Sequence, residues 1–140
     1  MLPISVCMIV KNEEKNIENC LQRLSRHPFE IVVVDTGSTD KTKELVKKYA
    51  DKLLDFLWCD DFSKARNFSI SQASNDWVLI IDCDEFVEEL DFTAIQKLMA
   101  EYPYAIGQLY RDNICYDKDH KPIHSYDYVE RLFDRRLYYY

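Results

Sequence analysis

Four short apolar runs, each finishing in polar or acidic residues, set the limits on how this chain can fold. Ser5-Val6-Cys7-Met8-Ile9-Val10 leads into Lys11-Asn12-Glu13-Glu14, and Ile31-Val32-Val33-Val34 leads into Asp35-Thr36-Gly37-Ser38. Leu53 to Trp58 is followed by Asp60-Asp61, and Trp77-Val78-Leu79-Ile80-Ile81 by Asp82-Cys83-Asp84-Glu85. Continuous apolar runs of this length suit strands covered on both faces. The stretches between them change to helical spacing. Strands alternating with helices imply right-handed crossovers and a doubly wound, mostly parallel α/β sheet flanked by helices. Ligands in such sheets bind outside the carboxyl ends of the strands, which is where the polar tips lie.

The helical segments follow from spacing and punctuation. Ile17, Cys20, Leu21 and Leu24 recur at helical intervals after Asn12, which can act as a cap, and the helix should end near His27-Pro28. Leu45, Val46 and Tyr49 mark one face of a second helix, with turn and cap chemistry supplied by Thr36 to Asp40. A third helix is expected over Ser63–Ala73 and a fourth over Asp91–Glu101, with later strands at Tyr104–Tyr110 and Tyr128–Asp134.

Composition excludes several classes. A chain of 140 residues with 47% apolar content makes one domain with a real core. Its formal charge of −7 opposes an extended nucleic-acid surface, so no nucleic-acid partner is expected. Five cysteines without a C-x-x-C pair indicate reduced, intracellular thiols rather than a disulfide framework or zinc knuckle. Met1 to Val10 lacks a basic leader segment and reads as the first strand. No run approaches the roughly 20 apolar residues needed to cross a bilayer. A soluble, cytoplasmic protein is expected, with the inner face of the membrane open to it as a peripheral site.

Two carboxylates one residue apart at the end of a buried strand repel each other unless a cation lies nearby. Hard oxygen ligands with room for waters and phosphate oxygens suit Mg2+ or Mn2+ and a diphosphate-bearing substrate. Blander readings exist for each tip. Asp35 could begin an ordinary turn, Asp40 could be a first-turn helix acid, and Arg66-Asn67 could sit on an exposed helix with routine charge pairs. An arginine at this edge also offers a planar fork for phosphate. His120 and His124 read as surface loop residues. The ten tyrosines read as packing and interface material, and those near the end would suit a homodimer contact.

Taken together, the first two strand segments with their tips, Ala65-Arg66-Asn67 and Asp82-Cys83-Asp84 closely resemble the family 2 glycosyltransferases of GT-A fold, over about residues 4 to 90. The segment Trp58 to Asn67 is similar to the branch containing bacterial lipopolysaccharide-core and peptide S-glycosyltransferases, as is Arg131-Leu132-Phe133. Phosphoryl-transfer hydrolases share the Asp-x-Asp spelling, but their acidic pair follows the first strand.

The resemblance implies one GT-A domain over residues 1–140, with a donor half to about residue 90 and the start of an acceptor half beyond it. It implies a nucleotide-diphospho-sugar donor, a UDP-sugar foremost, and a glycan, lipid-linked or peptide acceptor. Val10, Lys11, Asn12 and Glu14 would line the nucleoside pocket and Asp35 would bind the uracil. Arg66 would contact base or diphosphate, Asp82 the ribose or the metal, and Asp84 the divalent ion. Inversion by direct attack requires a base, for which Glu130 is the only local candidate. Thr36 stands where many relatives carry a second aspartate. The His-Glu element that follows Arg-Leu-Phe in the similar branch is missing, which suggests a gene fragment. A non-catalytic nucleotide-sugar-binding fragment is the alternative expectation.

Overall fold

The computed structural model describes residues 3–140. Met1 and Leu2, which the sequence reading places with the first strand, lie outside the described residues. The elements run in chain order β1 (Ile4–Val10), α1 (Ile17–Leu24), β2 (Glu30–Asp35), α2 (Thr42–Val46), β3 (Lys52–Asp55), α3 (Phe62–Ser71), β4 (Trp77–Ile80), α4 (Phe92–Glu101), β5 (Gly107–Tyr116) and β6 (Pro122–Asp134). They build one six-stranded sheet of order β3-β2-β1-β4-β6-β5. The first four strands are parallel, while β6 runs antiparallel to both β4 and β5. The sheet is doubly wound and mostly parallel, as expected.

Alternation along each strand divides the core into two layers. Val6, Met8, Val33 and Leu79 face α1 and α4, packing on Ile17, Cys20, Leu21 and Leu24 with Ile95 and Leu98 alongside. Cys7, Val32, Val78 and Ile80 face the other way, onto Ile70 and Ala73 at the end of α3. Strand order reverses around β1, whose neighbours are β2 and β4. Their carboxyl ends splay apart there and leave a crevice.

Several boundaries differ from the sequence expectation. Helix α1 starts at Ile17 rather than after an Asn12 cap, because Asn12 takes a left-handed conformation (φ 52°). Strand β3 stops at Asp55, short of Trp58. Helix α3 begins one residue earlier than expected, where the Asp61 carboxylate accepts from the Lys64 amide at 3.1 Å. The last two strands form a hairpin far longer than the two short strands anticipated. His124 lies in β6, with its Nδ1 2.9 Å from Asp112, rather than in a loop. Among the described residues no helix is long and apolar enough to cross a membrane.

Candidate donor-binding site

A cleft of about 360 Å³ opens at the carboxyl ends of β1 and β4. Val10 and Lys11 form its floor on one side, Asp82, Cys83 and Asp84 the other, and Trp58, Phe62 and Arg66 a wall above. Phe62 and Arg66 lie one turn apart on α3, so the cap that starts this helix at Asp61 also aims both side chains. Trp58 is oriented by its indole N–H, which donates to Asp60 at 2.9 Å, and by edge contact with the Phe62 ring. A larger hollow of about 530 Å³ lies around Asp76, Trp77 and Arg136. Its two charges are paired with each other at 3.1 Å, and it sits at the amino end of β4, away from the polar tips.

The tips of β1 and β2 are stapled together. Thr36 donates its amide to the Val10 carbonyl at 2.9 Å, and Asn12 accepts from the Thr39 amide at 2.8 Å. Glu14 accepts from the Lys41 amide at 3.1 Å. Asn12 and Glu14 thus hold the loops that border the site, and neither lines the cleft. Asp35 is buried beneath them. One of its oxygens accepts from the amides of Gly37 and Ser38 at 2.9 and 2.8 Å, while the other is buried with no partner. Such a turn needs the positive φ (117°) that Gly37 supplies.

The two acids of Asp82-Cys83-Asp84 occupy unlike environments. Asp82 is held by two arginines, Arg66 at 2.8 Å on one oxygen and Arg131 at 3.2 Å on the other. Its amide donates to Glu85 at 2.9 Å, closing a tight turn. Glu85 in turn accepts from Arg131 at 2.7 Å and from Arg111 at 3.2 Å, and Arg111 also grips Asp127 in a two-bond fork. Asp84 is exposed and takes part in no hydrogen bond or ion pair among the described residues. Between them, Cys83 is buried, and burial together with the nearby Glu13 pushes its thiol well above the ordinary range.

Of the residues expected from sequence, Val10, Lys11, Arg66, Asp82 and Asp84 meet in one cleft and Asp35 lies just behind it. Glu130 does not join them. It is exposed on the hairpin, bonded to Gln108 at 2.8 Å, and that bond lowers its affinity for a proton below the usual carboxylate range. Its neighbour Arg131 reaches the acidic turn instead. Sequence reasoning missed Glu13, Trp58, Phe62 and the Glu85–Arg131–Arg111 network. The signals were the family-like segments Trp58 to Asn67 and Arg131-Leu132-Phe133, and the acid at Glu85 adjoining the motif.

No group of three or more acids, histidines or cysteines among the described residues could enclose a metal with protein ligands alone. The chemistry of Mg2+ and Mn2+ does not require one, since these ions are commonly held by one or two carboxylates together with waters and substrate phosphates. Asp84, free and beside the cleft, fits that pattern. Asp82 fits it less well, since both its oxygens are engaged.

Comparison with known proteins places the chain in a family. The family model for glycosyl transferase family 2 matches residues 5–139. The chain is 32% identical over 126 residues to the SPbeta prophage-derived glycosyltransferase SunS of Bacillus subtilis, covering 79% of this chain and 30% of SunS. It is likewise 32% identical over 111 residues to the lipopolysaccharide core biosynthesis glycosyltransferase LpsC of Rhizobium meliloti, covering 76% of this chain and 40% of LpsC. Among solved structures, S. aureus TarS 1–349 in complex with UDP-GlcNAc superposes with a TM-score of 0.63 at 28% identity, over 71% of this chain and 31% of that one. Glucosyl-3-phosphoglycerate synthase from Mycobacterium tuberculosis, in complex with Mn2+ and UDP-glucose, gives a TM-score of 0.51 at 26% identity, over 59% and 33%. Related enzymes of this fold therefore bind UDP-sugars and a divalent metal. The chain spans between 30% and 40% of the length of the two curated relatives. From residue 5 to residue 139 this chain belongs to glycosyl transferase family 2 and has its GT-A fold.

Proposed function

We propose that this chain binds a UDP-sugar with Mg2+ or Mn2+ as the donor half of an inverting glycosyltransferase whose acceptor is a cell-envelope glycan, a lipid-linked sugar or a peptide. The observation that carries the reading is the division between Asp82, saturated by arginines, and Asp84, left free at the mouth of the same cleft. A free carboxylate beside paired arginine charge is a setting for a diphosphate and its counter-ion.

The unpartnered oxygen of Asp35 is a buried acceptor, complementary to the imide N–H of uracil, and the stapled tips of β1 and β2 hold it rigid. Arg66 stands beside Asp82 with its guanidinium fork available to a phosphate oxygen. A divalent ion at Asp84 would neutralise charge that develops on the departing diphosphate. In the transfer itself an acceptor oxygen or sulfur attacks the anomeric carbon as the bond to the diphosphate breaks, and the acceptor proton passes to a base. Glu130 is not assigned that role, because its carboxylate lies away from the cleft and holds its proton weakly.

Calorimetric titration with UDP, with and without MnCl2, tests the reading on the native chain and on Asp84→Ala. Binding strengthened tenfold or more by Mn2+ in the native chain, and indifferent to Mn2+ in Asp84→Ala, is the expected result. Binding that ignores the metal in both proteins would remove Asp84 from the assignment.

A further inference from the structure

We infer that Arg131 is a positioning residue of the donor site, presented to the acidic turn by a β-bulge and responsible for leaving Asp84 as the one uncompensated charge there; this rests on the donor-site reading above. The pairing of β5 with β6 slips at its root: Gly107 pairs with Leu132, but Gln108 pairs with Glu130, and Arg131 is left opposite no residue. In a regular strand Arg131 would share a face with Phe133, which packs toward α3. The extra residue breaks that alternation, and the Arg131 guanidinium reaches Asp82 and Glu85 beyond the end of β4. The close approach at this point favours Gly107, since a β-carbon there would stand 3.1 Å from that of Leu132, a tight contact.

What the re-aimed guanidinium meets is specific. Arg131 is only 8% exposed, and one of its nitrogens bridges Asp82 at 3.2 Å and Glu85 at 2.7 Å. Its Nε is buried without an acceptor, so the side chain is placed there at the expense of its own hydrogen-bond inventory. Around the turn, the three arginines Arg66, Arg111 and Arg131 face the three carboxylates Asp82, Glu85 and Asp127. That set is balanced. Asp84, within the same turn, is outside it. Arg131 comes from an element 49 residues away in sequence from Asp82, and it is the link through which the hairpin fixes both the shape and the charge of the turn.

Positioning of the turn and general support of the fold are separated by using two probes. Uracil reads the Asp35 pocket alone, whereas UDP with MnCl2 also reads the turn. In Arg131→Met, uracil affinity should stay within about twofold of the native chain while affinity for UDP with Mn2+ falls roughly tenfold or more, as for loss of one partner from a buried charge pair. Arg131→Lys keeps a charge but on a shorter side chain without the planar fork, and should show a smaller loss confined to UDP. It also decides the question if Arg131→Met does not fold. Equal loss for both probes, or none for UDP in either variant, overturns the inference. Failure of the native chain to prefer UDP with Mn2+ over uracil would instead overturn the donor-site reading and, with it, this role for Arg131.

Discussion

Asp82 and Asp84 are separated by a single cysteine, yet they do different work. Asp82 closes ion pairs with Arg66 and Arg131, so Asp82→Asn should lower unfolding stability by about 2 kcal/mol in urea titration, the scale of a lost hydrogen bond to a charged group. The same change at Asp84 should leave the urea midpoint unmoved, because Asp84 has no partner to abandon. Sequence alone marks both residues, since a buried strand has no structural use for an acidic finish. The family resemblance gives them different roles, but residue type and spacing do not show their different environments, because Arg131 is remote in sequence and the slip in strand pairing beside it leaves no trace in the hydrophobic pattern. Choosing Glu130 as a base shows the same limit. Its residue type is right for the chemistry, but the side chain that reaches the site belongs to the next residue along.

Among the strands, those buried on both faces are legible and the hairpin, buried only at its root, is not. Strands β1, β2 and β4 are continuous apolar runs and fall where expected. The hairpin alternates tyrosines with charged and polar residues, as at Tyr110, Arg111, Asp112 and Asn113, and its outer part has little core beneath it. No run of buried residues announces it. Helix α3 was expected despite a loose apolar pattern, and what fixes its start is the cap at Asp61 rather than periodicity. Asp61→Ala should therefore cost about 1 kcal/mol in denaturant unfolding. It should also weaken UDP binding, because α3 carries Phe62 and Arg66 into the cleft.

For the molecule as a whole, the two ends of the sheet carry different sensitivities. Glu30 lies at the amino end, opposite the cleft. Burial alone would raise its pKa, but hydrogen bonds from Ser5, Ser74 and Lys52 outweigh that and bring it down to about 2. A carboxylate whose folded pKa is depressed stabilises the fold above its unfolded value of 4.5 and loses that contribution as pH falls toward 2. Unfolding free energy measured across this window should decline in the native chain, and Glu30→Gln should flatten that part of the profile. The thiols divide in a parallel way. Burial pushes Cys7 and Cys20 up to about 12, with Cys83 raised as well, while Cys59 and Cys115 are exposed. Iodoacetamide at pH 8 should label Cys59 and Cys115 in the folded chain and reach all five cysteines only after unfolding, as mass spectrometry would show.

The hairpin also has a mechanical meaning. Arg131 and Arg111 engage Glu85, and beyond Arg111 the remaining five residues of β5, at antiparallel rise, extend roughly 17 Å to Tyr116. It is an arm pivoted on the acidic turn. A tilt of about 10° at that pivot sweeps the tip near Tyr116 through roughly 3 Å, given that length. Conversely, a force that restrains the tip is delivered with leverage to Glu85 and Asp82, so the stiffness of the site is set partly by residues a full molecular radius away from it.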